Sequence, residues 1–372
     1  MKSKLAAIFL LAIVVGSNIT VAQSRVHDSV LTLSGSHMEK IGRSVYAIIH
    51  EDPTDQWPTS NTGVIIGEKY VMVIDANYLP SLAKTDIELI KKITSKPVKY
   101  LVYTHWHMDH NNGGSVYAEM FPGIEIIAQR MTAEYIVINS PWYAKRETAT
   151  GSAKRLSLQQ MERNFTAGKD TSGKVFTAAE LSGMDTIIKK RKNELTEFET
   201  LKVIKPNRVF DETLTIDLGN RKVVIKDWGR ANSPHDATIY LPADQILFTG
   251  DMITQTPQPF TFESWPVSWA KTLKTVEQIP VKVLVPGHGP VHHDHQYTRK
   301  LRGLLEGAIT QVNELLAQGT PVDQIPSKIN LDHLRTGVWD TGINPDPDWR
   351  GIINALVDRT IKCVRGQGGI AE

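Results

Sequence analysis

The sequence has almost no cysteine. Its 372 residues include one, Cys363, which excludes an internal disulfide and any zinc or redox motif built on paired cysteines. It also lacks an excess of charge of either sign, because 42 Lys and Arg residues nearly balance 40 Asp and Glu residues. The formal net charge of +2 gives no support to a nucleic-acid-binding surface. The length fits one large domain with additions, or two domains.

Only the N-terminus carries a long apolar run. Lys2 and Lys4 precede the apolar stretch 5–16, and small residues follow up to Ala22. A basic start, an apolar middle and a small-residue end are typical of a secretory signal, and the stretch is too short to span a bilayer comfortably. We therefore expect residues 1–22 to be a cleaved signal peptide. The mature protein would then be exported, to a bacterial periplasm or the medium, with no stable membrane span.

Strand and helix patterns alternate along the chain. A helix is predicted over 82–94 from apolar residues at helical spacing. Gly219-Asn220 predicts a hairpin turn within one β-rich run. Two β-rich halves, each followed by helices, predict two sheets packed face to face with helices outside. The runs that predict strands are 44–51, 61–67, 70–78, 98–105, 213–228, 237–252 and 281–291.

Two further regions have helical character. Residues 131–205 are rich in Lys, Glu, Thr, Gln and Ala and show helical periodicity, which predicts a helical insertion in a main domain spanning 27–298. The insertion is either a lid or a solvated structural excursion. Residues 299–372 carry two apolar stripes at helical spacing, which predict a helical C-terminal extension. These stripes face either the core or the partner in a homodimer.

The clearest chemical signal is THWHMDHNNGG at residues 104–114. It places His105, His107, Asp109 and His110 within six positions. Neutral imidazoles and carboxylates are good zinc ligands. In an extended segment His105 and His107 project to the same side, and the next two ligands follow closely enough to face a second ion. One loop after a buried strand could therefore serve two adjacent metals.

Further candidate ligands lie far along the chain, each after a predicted strand. Asp251 in LFTGDM offers a carboxylate that can bridge two metals. His288 in VPGHGP lies on a glycine-rich loop, which can approach a metal without crowding. Either residue alone would be an ordinary structural residue. Together with the 104–114 motif they predict a metal centre.

These three motifs, in this order, resemble those of the metallo-β-lactamase fold superfamily over roughly residues 40–295. The resemblance implies an α/β (α+β) class and a four-layer αββα sandwich, with a metal site at one edge between the sheets. It also implies a role for each ligand. The first zinc would bind His105 and His107, the second would bind Asp109, His110 and His288, Asp251 would bridge them, and Asp75 would support the site without touching metal.

One position departs from the superfamily's pattern. The first zinc normally has a third histidine, in a motif of the form GxxHTxGD. Aligning Gly229 and Asp236 puts Asn232 at that position, 19 residues before Asp251. An amide is a poor zinc ligand beside imidazole, and His235, three residues later, is the alternative that we favour slightly. The remaining alternative is that His235 binds nothing, so the cofactor is one or two zinc ions.

The expected function is hydrolysis. His107 occupies a position where two-iron redox members of the superfamily carry Glu, and imidazole-rich sites suit zinc. Metal-bound hydroxide would attack a small carbonyl substrate, namely a β-lactam, lactone, ester or thioester. Asp109 is the expected catalytic residue, since it can orient the nucleophile or pass on its proton. The alternatives are a nuclease of the same fold and a non-enzymatic accessory protein with a degraded first metal site.

Overall fold

The computed structural model describes residues 29–33, 36–50, 59–255, 261–338 and 345–367. The predicted signal peptide, residues 1–22, lies outside these ranges. The described chain forms two β-sheets with α-helices on their outer faces. These layers decide where the metal-ligating side chains lie.

The first sheet has eight strands in sequence order. Neighbours are antiparallel from β1 to β5 and parallel from β5 to β8. Alternate side chains face opposite sides: in β3, Val45 and Ala47 face the second sheet, whereas Ile48 faces the outer helices. The strands are β1 Ser29–Leu33, β2 Ser36–Gly42, β3 Val45–His50, β4 Thr62–Ile66, β5 Val71–Ile74, β6 Val98–Val102, β7 Glu125–Gln129 and β8 Arg208–Phe210.

The second sheet has five strands in the order β13-β12-β11-β10-β9. All its pairs are antiparallel except β12 with β13. The predicted hairpin joins β9 to β10, and Gly219 adopts φ +88° there, a conformation that glycine adopts without steric cost. The strands are β9 Thr213–Asp217, β10 Lys222–Asp227, β11 Ala237–Leu241, β12 Ile246–Phe248 and β13 Val283–Val285.

Helices cover the outer face of each sheet. Helices α1 and α3 pack on the first sheet, and α7, α8 and α10 pack on the second. No described helix combines the length and the apolar character needed to cross a bilayer. The helices are α1 Pro80–Ile93, α2 Met108–Asn111, α3 Gly114–Met120, α4 Arg130–Thr148, α5 Ala153–Ala167, α6 Ala178–Glu199, α7 Pro266–Val276, α8 Gln296–Ala317, α9 Ile325–Lys328 and α10 Pro345–Val364.

The buried apolar residues form three main clusters, one between the sheets and one under each outer helix layer. This is the arrangement of a four-layer αββα sandwich, so the predicted α/β (α+β) class and architecture are confirmed. The helical C-terminal tail is confirmed as well, because α8 and α10 bury the apolar stripes read from the sequence. These stripes cover the second sheet of the same chain.

Helices α4, α5 and α6 occupy the range expected to hold a helical insertion. They enclose a fourth apolar cluster that includes Leu158, Leu195 and Phe198. Tyr78 and Leu79, from the loop after β5, belong to the same cluster. The insertion is therefore packed against a loop of the main domain next to Asp75.

Candidate metal centre

The predicted site residues collect where strands end at one edge of the two sheets. Asp75 directly follows β5, and the 104–114 motif follows β6, its parallel neighbour. Asp251 follows β12, and His288 follows β13, which is again a parallel neighbour. Because parallel neighbours end at the same edge, each pair of strands delivers its ligands to one place.

Two groups of metal-ligating side chains form at this edge and share Asp251. In each group, one ligand atom from every residue lies within 4.8 Å of all the others. All of these side chains are buried except that of His107, which is half-buried. The first group is His105, His107 and Asp251, and the second is Asp109, His110, Asp251 and His288.

The two carboxylate oxygens of Asp251 face different groups. Asp251 Oδ2 lies 3.7 Å from His105 Nε2 in the first group. Asp251 Oδ1 lies 3.1 Å from His110 Nε2 and 3.4 Å from His288 Nε2 in the second. The second group closes through His288 Nε2, which is 3.0 Å from Asp109 Oδ2. A carboxylate that bridges two ions needs this orientation.

Two buried atoms show that a cation fits this centre. His110 Nε2 and Asp251 Oδ1 meet no hydrogen-bond partner of normal geometry among the described residues, although they face each other. A buried polar atom left in this state costs about 1–3 kcal/mol. A cation between them would satisfy both atoms, and imidazole nitrogens with carboxylate oxygens are a zinc donor set.

Hydrogen bonds on the far side of two rings determine which nitrogen faces the site. His110 Nδ1 lies 2.8 Å from Asp75 Oδ2. His105 Nδ1 lies 3.0 Å from Thr104 Oγ1, which donates to Asp75 Oδ2 at 2.9 Å. These contacts assign a proton to each Nδ1 and leave each Nε2 lone pair for a metal. Asp75 thus lies where the resemblance placed it, behind the ligands.

Two glycines allow the loops to approach each other. A Cβ atom on Gly287 would lie 2.1 Å from Asp251 Oδ1 and 2.7 Å from the Gly250 carbonyl carbon. A Cβ atom on Gly250 would lie 2.4 Å from Thr104 Oγ1, and Gly250 also adopts φ +51°. Both contacts are closer than real Cβ atoms show. The position of the Asp251 carboxylate therefore depends on the absence of side chains at these two glycines.

Burial and neighbouring charges together set the protonation of the centre. Burial, reinforced by the charges of His110 and His107, lowers the pKa of His105 well below its ordinary value. Burial also opposes protonation of His110, but the carboxylates of Asp251 and Asp109 outweigh it and, without a metal, raise the pKa of His110 to about 10. A metal ion at Nε2 would displace the second proton of that ring. Burial would raise the pKa of Asp109, yet the charges of His110 and His288 lower it well below the usual range. The carboxylates are therefore ionised and available to a metal.

The structure does not bring His235 to either group. Its Nδ1 lies 2.9 Å from Asp227 Oδ2, at the end of β10. The cause is the turn before β11, in which Trp228 donates its backbone N–H to the Asp236 carbonyl oxygen and thereby holds His235 beside the β10 end. The expected use of His235 as a ligand has no counterpart in this geometry. Asn232, the alternative, is fully buried.

Sequence reasoning missed Glu263. Glu263 Oε2 lies 3.2 Å from His107 Nε2, and the other oxygen of Glu263 accepts a hydrogen bond from the Tyr143 hydroxyl. His107 Nδ1, on the opposite side of the ring, lies 2.8 Å from His105 Nε2. The sequence around Glu263, FTFESWP, carries no metal-binding signal that could have identified it.

Two residues before β4 were missed as well. Asn61 Nδ2 donates to the carbonyl oxygens of Pro286 and Gly289, on either side of His288. The Ser60 hydroxyl donates to the carbonyl oxygen of Asp109 at 2.6 Å. The segment at 59–61 therefore fastens two ligand loops that are far apart in sequence.

Comparison with known proteins gives three kinds of match. The family model described as the metallo-beta-lactamase superfamily matches residues 56–288, more than half of the chain. A linear primary-alkylsulfatase from a Pseudomonas species is 21% identical over 277 residues, which cover 70% of this chain and 48% of that protein. The chain thus spans about half the length of this relative.

Solved structures match over a larger share of the chain. A sec-alkylsulfatase from a Pseudomonas species is 15% identical, with a TM-score of 0.59 over 87% of this chain and 50% of that chain. A metallo-beta-lactamase from Pontibacter korlensis is 18% identical, with a TM-score of 0.50 over 73% of this chain and 99% of that chain. At these identities the structures show a shared fold.

Proposed function

The chain belongs to the metallo-β-lactamase superfamily, and from this premise we propose that it is an exported, zinc-dependent hydrolase of a small carbonyl substrate. At the level of the superfamily it is a metal-dependent hydrolase, as are the alkylsulfatase and β-lactamase relatives. The metal, the substrate class and the export are the proposed parts. The substrates proposed are esters, thioesters, lactones and β-lactams.

The observation that carries the proposal is the position of Asp251 between two imidazole groups. His105 and His107 would hold one zinc with Asp251, and Asp109, His110 and His288 would hold the other with the same carboxylate. Zinc, when bound, lowers the pKa of a coordinated water toward 7 and so supplies a nucleophile at neutral pH. The chain has no cysteine among these ligands, in contrast to β-lactamases that use one at the second metal.

Asp109 is the residue that we propose for proton transfer. Its backbone is fixed by the Ser60 hydroxyl, and its Oδ2 lies 3.0 Å from His288 Nε2. In ester hydrolysis the oxygen of water bonds to the carbonyl carbon, the C–O bond to the leaving group breaks, and a water proton passes to the departing oxygen. An ionised carboxylate beside the reacting water can carry that proton.

A sulfate ester is the second candidate substrate. The relationship to the linear primary-alkylsulfatase favours it, since that protein aligns with 70% of this chain. Hydrolysis of a sulfate ester needs the same metal-activated water, and only the electrophile changes from carbon of a carbonyl to sulfur or its ester carbon. The metal centre itself does not distinguish the two classes, so substrate assays must.

Turnover by purified, zinc-loaded protein tests the proposal. The panel comprises p-nitrophenyl butyrate, a thioester, a lactone, a β-lactam and decyl sulfate. We expect hydrolysis of at least one carbonyl substrate, its loss with EDTA, and a reduction of kcat by roughly 10²–10⁴-fold in Asp109→Ala. The control Asp227→Asn, altered at a carboxylate outside both groups, keeps its activity. Hydrolysis of decyl sulfate alone would select the second candidate, and bound zinc without any turnover would support the accessory-protein alternative.

Export rests on the N-terminal sequence and needs a separate experiment. Mass spectrometry of the protein recovered from its native host would give the mature N-terminus. We expect cleavage after Ala22 and recovery from the periplasm or medium. Full-length protein in the cytosolic fraction would contradict export without affecting the hydrolase proposal.

A further inference from the structure

We propose that Glu263 and Tyr143 act as a positioning pair that strengthens His107 as a ligand of the first metal and compensates for the missing third histidine. The inference rests on the proposed zinc function and extends that function by assigning a role to the helical insertion. Neither residue belongs to the two ligand groups. Both act through His107, so they are positioning residues.

The two nitrogens of His107 have different partners. Nδ1 lies 2.8 Å from His105 Nε2, inside the first ligand group, so Nδ1 is the atom that would bind metal. Nε2 lies 3.2 Å from Glu263 Oε2 and must then carry the ring proton. A carboxylate that accepts this N–H fixes the ring orientation and raises the electron density on the opposite nitrogen. His107 becomes a stronger ligand as a result.

The first ligand group has fewer metal ligands than the second. It holds two imidazoles and the shared Asp251, whereas the second group holds two imidazoles and two carboxylates. Asn232 occupies the sequence position of the usual third histidine, and His235 is held by Asp227. A carboxylate behind His107 offsets part of this deficit without entering the coordination sphere. Asp75 serves His110 in the same way in the second group.

The Glu263 side chain is held by a second contact. Its second oxygen accepts the Tyr143 hydroxyl of α4, and its side chain is about one-fifth exposed. Each oxygen of the Glu263 side chain therefore faces one donor, His107 on one side and Tyr143 on the other.

The helical insertion also contacts the metal-binding loop directly. Tyr143 also contacts Trp106, the residue before His107, with ring centroids 5.7 Å apart. Helix α4 thus reaches the first ligand group from two sides, through the Glu263 carboxylate and through the Trp106 ring. By contrast, the residues behind His105 and His110 are Thr104 and Asp75, which belong to the main domain. The insertion then lines one side of the first metal site, a role that differs from both a lid and a solvated excursion.

Zinc affinity measured by competition with a chromophoric chelator tests the pair without any substrate. We expect Glu263→Gln, which keeps the shape and removes the charge, to weaken one zinc site by roughly 10–100-fold and leave the other unchanged. Tyr143→Phe should weaken the same site by less. The double variant should lose little more than Glu263→Gln alone, because the two residues act through one contact. Glu147→Gln, altered at a carboxylate on the same helix as Tyr143, is the control and should bind zinc normally.

Nitrogen-15 NMR of histidine-labelled, zinc-loaded protein identifies the site that weakens. We expect the Nδ1 signal of His107 to lose its metal-bound shift in Glu263→Gln, while the signals of His110 and His288 stay in place. Unchanged zinc affinity in Glu263→Gln, at whatever stoichiometry the wild type shows, would overturn the inference. Equal weakening in Glu147→Gln would also overturn it. Zinc affinity that responds as expected in a protein with no hydrolytic activity would refute the proposed function and leave the positioning pair intact.

Discussion

At the scale of single residues, the metal centre depends on which ring nitrogen of each histidine carries a proton. Asp75 determines this for two rings at once, directly for His110 and through the Thr104 hydroxyl for His105. Glu263 does the same for His107. In these three rings the other nitrogen is left to bind a metal, because a side-chain oxygen behind the ring accepts a hydrogen bond from the protonated nitrogen.

Gly287 offers a test of the close packing around the bridging carboxylate. A methyl group there would overlap Asp251 Oδ1, so Gly287→Ala should displace Asp251 and lower the zinc content of the purified protein by about half or more, since both groups share this residue. Gly303→Ala on α8 is the matched control, because a Cβ atom at Gly303 meets nothing within 4 Å. The control should keep its zinc and gain about 0.5–1 kcal/mol in unfolding free energy. Full zinc content in Gly287→Ala would show that the carboxylate can move.

Lys154 gives a prediction for pH dependence. Burial, only partly offset by Glu147, lowers its pKa to about 8, while an unfolded lysine titrates near about 10.4. Between these two pKa values the unfolded state binds more protons than the folded state, so the contribution of Lys154 to the free energy of unfolding rises with pH. Below about pH 8 the full cost of burying the charged amine is present. The free energy of unfolding in urea should therefore rise for wild type relative to Lys154→Met from about pH 8 to 10.5, by at most about 3 kcal/mol. A difference that stays constant over this range would contradict the assignment.

At the scale of secondary-structure elements, the C-terminal helix α10 supports the segment that carries Glu263. Arg359 on α10 is buried and donates from Nε to the Ser264 carbonyl oxygen at 2.8 Å. Its guanidinium lies 5.2 Å from the centroid of the Trp265 ring. The backbone N–H of Trp265 in turn donates to the Ala231 carbonyl oxygen, beside Asn232. The tail thus reaches the metal centre through two loops.

Replacement of Arg359 tests this support. Arg359→Met should lower the unfolding free energy by about 1–3 kcal/mol, because a buried carbonyl loses its donor. It should also weaken the zinc site that Glu263→Gln weakens, through displacement of the same segment. Arg365→Met, at an exposed position near the end of the same helix, should change stability by no more than about 0.5 kcal/mol. Chemical unfolding and zinc competition would measure both effects, and normal zinc binding in a destabilised Arg359→Met would limit the role of α10 to stability.

Most long elements could be predicted from the sequence, because their apolar periodicity reflects local burial. The helix expected over 82–94 is α1, and the strands expected near 61–67 and 98–105 are β4 and β6. The strands β7 and β8 were not predicted. Strand β8 has three residues, and it pairs with β7 across the whole insertion. The four-residue helix α2 was also missed, since it lies inside the metal-binding loop.

The residues of the site likewise include some that the sequence reveals and some that it does not. The 104–114 motif could be read because its ligands are local and their spacing is specific. Glu263 could not, since it is 156 positions away from His107 and 120 positions away from Tyr143. Which of Asn232 and His235 lies closer to the ligands depends on one turn before β11. Backbone hydrogen bonds set the shape of this turn, and no residue pattern predicts them.

At the scale of the whole molecule, the metal centre is the place where distant parts of the chain meet. Both sheets deliver ligands to one edge, the insertion contributes Tyr143, and the C-terminal helix fixes the segment around Glu263. Asp251 connects the two ligand groups. The central claim is therefore that one centre holds two ions through this carboxylate, and that His235 takes no part.

Zinc content per chain, measured by elemental analysis of wild type, His235→Ala and Asp251→Ala, tests this claim most directly. The account predicts about two zinc ions in wild type and in His235→Ala, and about one or fewer in Asp251→Ala, which loses the shared ligand. Loss of one ion in His235→Ala would make His235 a ligand after all. Two ions retained in Asp251→Ala, or a single ion in wild type, would contradict a bridged two-metal centre.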